Sequence, residues 1–397
     1  MLSATPYKIP LEVVDIKQKS TGQTAKKDAK PEYKLGIYVG LGGNANPRLY
    51  EFDTGGEGFW AAADSKSPKD LRWWGAKKIV SRGSLGITYS SGNRYVANKV
   101  RTSVELYQPD ADGGFSKVVG TGQPVDMGQI VRYSDAKSKS AVVNWNNALK
   151  RGSPPLQNWF YGDFGASLSP NGTSEKNSIL SIVPQIPIPA GLTIGFIVHV
   201  GDLEEGGNQP YLQIGLTPED LKSFDTTLPM NPYTGTAQRF FPITGVDTYS
   251  ERIANADFSW TDPKTNRTQS FKDLGWTIDT GASSVTVWQG DSVAVNRGFL
   301  NKPTRSGGLF TGRFKKGVDL NVTATASNPH ETNINMTIDG GSKKSADDKI
   351  AANYHTTTAM GQNYVNTGLY TFTQYDVMYN LEDGTIHFRS SQPPTQN

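Results

Sequence analysis

Short runs of alternating apolar and polar residues recur along the chain, with turn-forming residues between them. Residues 33–39 form one such run, a stretch rich in Gly, Asn and Pro follows it, and a second apolar run covers residues 48–52. Alternation over about four to eight residues between Gly, Pro and Asn is typical of β-strands. The pattern therefore predicts a hairpin whose second strand ends immediately before Asp53.

The same pattern predicts further strands and one helix start. The strands are expected at residues 7–16, 192–200, 211–214 and 276–278, and a strand-like run leads to Tyr107. Thr217 and Pro218, followed by two acidic residues, have the features of an N-cap and a first helical turn. Because 42 Gly and 23 Pro separate many runs of β-branched and aromatic residues, we expect an all-β fold.

Composition narrows the classes of protein that remain. The 397 residues are enough for two ordinary domains, and 19% charged with 36% hydrophobic residues indicates a globular chain. A net charge of +3 without a long basic run argues against a nucleic-acid partner. Because there is no cysteine, the sequence excludes disulfides, thiol catalysis and thiolate metal sites.

An Asp-Thr-Gly triplet occurs twice, at residues 53–55 and 279–281, about one domain length apart. Each copy follows apolar residues and precedes small residues and then a tryptophan, Trp60 or Trp288. One such triplet is a common turn, but two copies in the same setting predict a duplicated unit that supplies one carboxylate from each half. The predicted site residues are Asp53, Thr54, Gly55, Asp279, Thr280 and Gly281.

Two carboxylates held close together have a specific chemistry. They cannot easily both ionise, because like charges at short range disfavour the doubly charged state. They share a proton instead, so that one can activate a water as a base while the other donates to a carbonyl oxygen. The glycine of each triplet permits a close approach of the two loops, and the threonine hydroxyl can bond the opposite half.

This arrangement resembles the pepsin-like aspartic proteases. Residues 32–62 are similar to the opening of that family, where a Tyr-containing strand and a Gly-rich turn lead to the first triplet. Residues 368–388 are similar to its last strands. The resemblance implies an all-β, bilobal fold, with two related barrel-like lobes and a cleft between them. The expected division is an N-terminal strand and polar linker over residues 1–31, an N-terminal lobe over 32–204 and a C-terminal lobe over 205–397.

The resemblance also implies a function. The chain is expected to be an aspartic endopeptidase that hydrolyses peptide bonds with a water activated between Asp53 and Asp279. A peptide or protein substrate would bind in the cleft, and the enzyme would be a monomer. No covalent intermediate, metal, cofactor or nucleic acid is implied.

A flap over the cleft is the third element of the resemblance. Residues 87–93 are similar to the family's flap hairpin, although Ser90 and Ser91 replace the usual Gly and Thr. The match implies that Tyr89 contributes to substrate binding and forms a hydrogen bond with Trp60.

Several residues depart from the family's pattern. Asp163 precedes an apolar-apolar-Gly segment and is expected to be a turn residue facing solvent, with a third carboxylate near the pair as the alternative. Asn366 and Thr367 stand where two apolar residues are usual. Gly56 and Ala282 lack the hydroxyl that often follows each triplet. We therefore expect a raised carboxyl pKa in the pair and activity that extends towards neutral pH.

Two other functions remain open. A pepsin-like fold can serve as an inactive binding module or inhibitor, but such proteins usually lose an Asp or Gly from one triplet, and this chain keeps both. A glycosidase also uses two carboxylates, but it does not usually place them on paired triplets. The four histidines form no His-Glu-x-x-His motif and no Gly-x-Ser-x-Gly occurs, so a zinc site and a serine hydrolase are not expected.

The expected source is bacterial, and the expected location is secreted or periplasmic. Most secreted eukaryotic relatives of pepsin carry disulfides, which this chain cannot form. No signal peptide follows Met1, and we expect that one has been removed. The longest apolar window, residues 186–200, is too short and too interrupted for a membrane helix. Residues 108–158 and 300–360 indicate no chemistry.

Overall fold

The computed structural model describes residues 4–17, 32–63, 73–201, 203, 209–262, 264–289, 299–306, 309–315, 318–324, 334–339, 352–356 and 363–391. The predicted polar linker at residues 17–31 therefore lies almost wholly outside the described residues, and so does much of the region 300–360.

Short strands build most of the described chain. Up to residue 199 they are β1 (Tyr7–Pro10), β2 (Glu12–Asp15), β3 (Tyr33–Leu41), β4 (Arg48–Asp53), β5 (Phe59–Ala62), β6 (Lys78–Thr88), β7 (Asn93–Thr102), β8 (Val104–Pro109), β9 (Phe115–Gly120), β10 (Val125–Asp135), β11 (Gly162–Gly165) and β12 (Thr193–His199). After it they are β13 (Tyr211–Leu216), β14 (Thr226–Pro229), β15 (Ala254–Asp262), β16 (Arg267–Thr277), β17 (Val285–Gln289), β18 (Leu300–Ser306), β19 (Leu309–Phe314), β20 (Asp319–Ala324), β21 (Ile334–Asp339), β22 (Ala352–Thr356), β23 (Tyr364–Asn366), β24 (Tyr375–Asn380) and β25 (Thr385–Ser390). The α-helices of the described chain are α1 (Lys139–Arg151), α2 (Pro218–Lys222) and α3 (Tyr370–Gln374).

Two sheets of the described chain have the same strand order. The first runs β6-β7-β10-β5-β11-β4-β3-β8-β9, with β2 beside β3, and the second runs β18-β19-β22-β17-β23-β16-β15-β20-β21. In both sheets the strand that leads to an Asp-Thr-Gly triplet, β4 or β16, pairs in parallel with a short strand, β11 or β23. Each half of the chain thus forms a lobe on one plan, and the expected all-β, bilobal fold is confirmed.

A six-stranded sheet, in the order β1-β13-β12-β24-β25-β14, joins strands from the beginning, middle and end of the chain. The predicted strand at residues 7–16 is divided, because β1 pairs with β13 in this sheet whereas β2 pairs with β3 in the first lobe. Leu11 between them is fully buried. The predicted start of α2 is confirmed, since Thr217 and Asp220 form a reciprocal capping box.

Aromatic residues form the core beneath the two triplets. In the first lobe the ring of Phe164 packs on those of Phe52 and Phe59, with centroid distances of 6.4 and 5.0 Å. In the second lobe Trp276 of β16 stacks on Phe388 of the six-stranded sheet at 5.3 Å and an interplanar angle of 2°. Burial of each ring stabilises the fold by about 1.5–3 kcal/mol. The strands that carry the catalytic candidates are therefore fixed by packing.

The region 108–158, from which no chemistry was inferred, contains β9, β10 and helix α1. Ser138 caps this helix by accepting a hydrogen bond from the Ala141 N–H, and the helix ends at Gly152 with φ of 71°. Its buried face carries Trp145, which stacks on Tyr133 at 4.6 Å. No helix in the described part of the chain is both long and apolar enough to cross a membrane.

Candidate active site

The two Asp-Thr-Gly loops bind each other through their threonines. The backbone N–H of Thr54 donates to Oγ1 of Thr280 at 3.0 Å, and the N–H of Thr280 donates to Oγ1 of Thr54 at 3.0 Å. Each hydroxyl then donates to a carbonyl oxygen of the opposite lobe, Ile278 at 2.8 Å and Phe52 at 2.7 Å. The resulting four-bond lattice is buried and nearly symmetric, so it fixes the separation of the two loops.

The glycine of each triplet faces the carboxyl group of the other. A Cβ atom on Gly55 would lie closer than 3.0 Å to the carboxyl of Asp279, and one on Gly281 would lie closer than 3.0 Å to that of Asp53. Real Cβ atoms essentially never approach so closely. Only glycine therefore allows the two carboxyl groups to meet.

Backbone amides hold one oxygen of each carboxyl group. Oδ1 of Asp53 accepts N–H bonds from Gly55 and Gly56, both at 2.8 Å. Oδ1 of Asp279 accepts the equivalent bonds from Gly281 at 2.7 Å and from Ala282 at 3.1 Å. The amides orient the two carboxyl planes without a hydroxyl at position 56 or 282.

The remaining oxygens have different surroundings in the two lobes. Nδ2 of Asn366 donates to Oδ2 of Asp279 at 2.6 Å. Oδ2 of Asp53 instead lies beside the carboxyl group of Asp163. A Cβ atom added to Gly56 would be 2.9 Å from Oδ2 of Asp53 and 3.1 Å from Oδ2 of Asp163. An amide donor thus replaces the missing hydroxyl in the second lobe, and a carboxyl group occupies that place in the first.

Burial raises the pKa of Asp53 well above its ordinary value, and the negative charges of Asp279 and Asp163 raise it further. The side chain is only 7% exposed, and Asp279 is within hydrogen-bond reach of it. The raised pKa agrees with the expectation from the sequence, but the cause is different: it is burial and neighbouring carboxylates. The surroundings of Asp53 therefore favour its protonated form.

The turn at residues 89–92 joins β6 to β7 and places Tyr89 at the edge of the cleft. The N–H of Tyr89 donates to the carbonyl of Asn93 at 2.8 Å, which closes the predicted hairpin. The cleft has a volume of about 510 Å³. Its lining includes both triplet aspartates together with Glu32, Lys34, Glu51, Tyr89, Ser90, Ser91, Lys137, Gln157, Asp163, Trp288 and Asn366.

The coordinates resemble a solved aspartic proteinase from Irpex lacteus, with a TM-score of 0.51, 14% sequence identity and coverage of 99% of each chain. The fold is that of the pepsin-like aspartic proteinases. A scan of protein-family models found no match for this sequence, and no curated protein matches it either. At 14% identity the likeness shows the fold, and any inference about chemistry rests on the geometry of the cleft.

Asp163 does not face solvent as expected. It lies in β11, opposite Glu51 of β4, and is 3% exposed. Strand β11 lies between β4 and β5 in the sheet. Side chains along a strand point alternately to its two faces, and that of Asp163 is on the face that lines the cleft. Burial, then the charge of Glu51, raises the pKa of Asp163 well above its ordinary value.

The expected hydrogen bond between Tyr89 and Trp60 is also wrong. The Tyr89 hydroxyl donates to Oδ2 of Asp163, and the indole N–H of Trp60 donates to the carbonyl of Glu57 at 2.8 Å. The carboxyl group of Asp163 accepts the tyrosine O–H, and the indole N–H, which can only donate, has the Glu57 carbonyl as its acceptor. Trp60 is fully buried in β5 and supports the loop from below.

A buried ion pair lies next to the aspartate pair, and sequence reasoning did not find it. Nζ of Lys34 is 2.5 Å from Oε1 of Glu51 and also donates to the carbonyl oxygen of Gly281 in the other lobe. The charge of Glu51 raises the pKa of Lys34, although burial opposes this. The sequence did hold a signal for this ion pair. The apolar pattern predicts that β3 and β4 are buried, and Lys34 and Glu51 are charged residues within them.

No group of three His, Cys, Asp or Glu side chains within the described ranges has the arrangement of a metal site. The cleft residues that the sequence did not assign to the site include Lys34, Glu51, Gln157 and Asn366, and Asp163 was placed there only as the alternative. Each of them contacts or lines the cleft through strand pairing or loop geometry that the local sequence pattern does not encode.

Proposed function

We propose that the chain is an aspartic endopeptidase that hydrolyses peptide bonds in proteins or peptides. The observation that carries the proposal is the reciprocal bonding of Thr54 and Thr280, which brings Asp53 and Asp279 within hydrogen-bond reach of each other at the floor of the cleft. A single chain supplies both carboxyl groups, which supports a monomer. The bacterial source and the secreted or periplasmic location stay predictions of the sequence.

The shared proton has a defined place in this mechanism. Asp53 retains it, because burial and two neighbouring carboxylates raise its pKa. Asp279 accepts N–H bonds on both oxygens, from Gly281 and Ala282 on Oδ1 and from Asn366 on Oδ2, and these bonds fix the orientation of its carboxyl group. Asp279 is then the base that takes a proton from a water.

The water attacks the carbonyl carbon of the scissile peptide bond, and Asp53 donates its proton to the carbonyl oxygen. A tetrahedral diol forms without a covalent link to the protein. The proton taken up by Asp279 is then given to the leaving nitrogen as the C–N bond breaks. Asp53 takes back a proton from a diol hydroxyl as the C=O bond of the carboxylic acid product forms, so the pair returns to its starting state. Tyr89 on the flap limits the access of bulk water to these steps.

A direct test is proteolysis of an unfolded protein and of a peptide library, with products identified by mass spectrometry from about pH 3 to pH 8. We expect cleavage that a statine-type inhibitor blocks. Asp53→Asn and Asp279→Asn should each abolish it while leaving the fold intact, because the two groups act as one unit. Asp225→Asn, at an exposed carboxyl group outside the cleft, is the matched control.

The result that would overturn the proposal is wild-type turnover by either cleft variant. Saturable peptide binding without cleavage at any pH would instead support the alternative of a binding module.

A further inference from the structure

Two buried acceptor atoms in the cleft have no hydrogen-bond donor among the described residues. They are Oδ1 of Asp163 and Oε1 of Gln157, and both residues line the cleft together with the aspartate pair. Buried acceptors are nearly always bonded in folded proteins. The two atoms therefore mark a part of the cleft that can accept hydrogen bonds from a donor that the described residues do not supply.

The position of Asp163 relates this unsatisfied site to the reacting bond. Its Oδ2 accepts a hydrogen bond from the Tyr89 hydroxyl. A Cβ atom added to Gly56 would be 3.1 Å from this oxygen and 2.9 Å from Oδ2 of Asp53. The free Oδ1 is thus on a carboxyl group adjacent to the one that holds the catalytic proton. A ligand group that reaches it belongs to a residue flanking the bond that is cut.

The backbone holds Gln157 in an unusual conformation. Gln157 and Asn158 have φ values of 54° and 65°, and they form a tight turn in which Leu156 and Phe160 exchange backbone hydrogen bonds. Two consecutive non-glycine residues with positive φ are costly and persist only where the surrounding structure imposes them. Here the turn places Gln157 in the lining of the cleft.

The charges around these acceptors favour a cation. Five carboxyl groups and two ammonium groups line the cleft. Both ammonium groups are already bonded, Lys34 to Glu51 and the Gly281 carbonyl, and Lys137 to the Ser90 carbonyl at 3.1 Å. The excess of negative charge, together with two free acceptors, suits a donor that carries a positive charge.

We propose that Asp163 and Gln157 form a recognition site for a lysine or arginine side chain next to the scissile bond of the substrate. This inference rests on the proposed endopeptidase function and adds the class of substrate. Asp163 would form a charge-assisted hydrogen bond through Oδ1, and Gln157 would accept a second bond from the same ammonium or guanidinium group.

The proposed site also predicts that the preference depends on pH. The charged and titratable groups that surround Asp163 are Glu51 on β4, Lys34 on β3, Tyr89 on the flap, Tyr95 on β7, Asp53 and, from the other lobe, Asp279. Burial and the charge of Glu51 favour the protonated form of Asp163, which attracts a cation weakly. As pH rises and Asp163 ionises, cleavage next to lysine should gain relative to cleavage next to a neutral residue.

The experiment uses peptides that differ at one residue on either side of the scissile bond, with lysine, arginine, norleucine or glutamine at that position. Norleucine keeps the length of lysine without its charge. We expect kcat/KM for lysine or arginine to exceed that for norleucine by about tenfold or more on one side of the bond. Equal cleavage of the lysine and norleucine peptides would overturn the recognition site and leave the endopeptidase function standing.

Variants assign the preference to the two residues. Asp163→Asn keeps the shape and an acceptor for Tyr89 but removes the charge, so the ratio of lysine to norleucine cleavage should fall to about one. Gln157→Ala should lower the ratio by a smaller factor, and the exposed Asp225→Asn should not change it. An unchanged ratio in Asp163→Asn would contradict the assignment.

A second readout needs no turnover. Calorimetric binding of statine peptides with lysine or norleucine at the same position should show tighter binding of the lysine peptide, and the difference should disappear in Asp163→Asn. Equal affinities of the wild-type protein for the two peptides would overturn the inference even if no substrate were cleaved.

Discussion

The two lobes have the same strand order but carry different chemistry at the same position. In the first lobe Asp163 on β11 pairs with Glu51 on β4, and in the second lobe Asn366 on β23 pairs with Thr277 on β16. The amide of Asn366 donates to Asp279, whereas Asp163 donates nothing to Asp53 and raises its pKa. The duplicated architecture therefore gives both aspartates the same backbone geometry, and the residues at positions 163 and 366 give them different surroundings.

The largest loss of activity is expected from changes at the triplet glycines, which are the same in both lobes. Gly55→Ala and Gly281→Ala each place a methyl group against the opposite carboxyl group, so either change should lower kcat/KM by about a hundredfold or more. Gly86→Ala is the control, because its Cβ would meet only a backbone oxygen at 3.6 Å. Steady-state kinetics with circular dichroism as a check of folding tests this, and retained activity in either variant would show that the loops are not in close contact.

The next-largest expected effect is a loss of stability, and it comes from the buried ion pair of the first lobe, which has no counterpart in the comparison of the two aspartates. Lys34→Met leaves Glu51 buried without its ion-pair partner, which should destabilise the protein by about 3–5 kcal/mol. The double variant Lys34→Met/Glu51→Leu should recover most of this loss, because an apolar pair has no charge to bury. Urea denaturation measures both. If the single and double variants were equally unstable, the ion pair would not account for the effect.

Making the second lobe resemble the first should reduce activity. Asn366→Asp removes the donor that orients Oδ2 of Asp279 and places a second carboxyl group against it, so the two aspartates no longer keep their relative positions. We expect kcat/KM to fall by about tenfold to a hundredfold with little change in KM. The loss should be smaller at low pH, where the new carboxyl group is neutral. A fall confined to KM would indicate a change in substrate binding instead.

Making the first lobe resemble the second should shift the pH profile. The negative charge of Asp163 raises the pKa of Asp53, so Asp163→Asn should let Asp53 lose its proton at lower pH. The upper limb of kcat/KM for a neutral peptide should then move to lower pH. The exposed Asp225→Asn should leave both limbs in place. An upward shift would contradict the assignment of Asp53 as the acid.

Local patterns predicted the parts of the site that depend on neighbouring residues. The two triplets, the hairpin before Asp53, the flap turn at Tyr89 and the cap at Thr217 each have a signature within a few residues. The roles of Asp163 and Asn366 depend instead on parallel pairing between strands far apart in the chain. No pattern near residue 163 shows that Glu51 lies opposite it, so a buried carboxyl group was taken for a turn residue.

The error over Tyr89 has a related cause. Its position in the flap followed from a short motif, but its hydrogen-bond partner was inferred from a resemblance in which no acid occupies the place of Asp163. In the structure the carboxyl group of Asp163 accepts the tyrosine O–H, and the Glu57 carbonyl accepts the indole N–H of Trp60. A hydrogen-bond partner depends on every neighbour in space, whereas a turn depends only on its own residues.

The reciprocal bonds between Thr54 and Thr280 also have a consequence for the timing of biosynthesis. A ribosome releases the first triplet long before the second, and until then the hydroxyl and the amide of Thr54 lack their partners in the other lobe. The proposed endopeptidase would therefore lack its aligned aspartate pair until the second triplet has emerged and the two lobes have closed on each other.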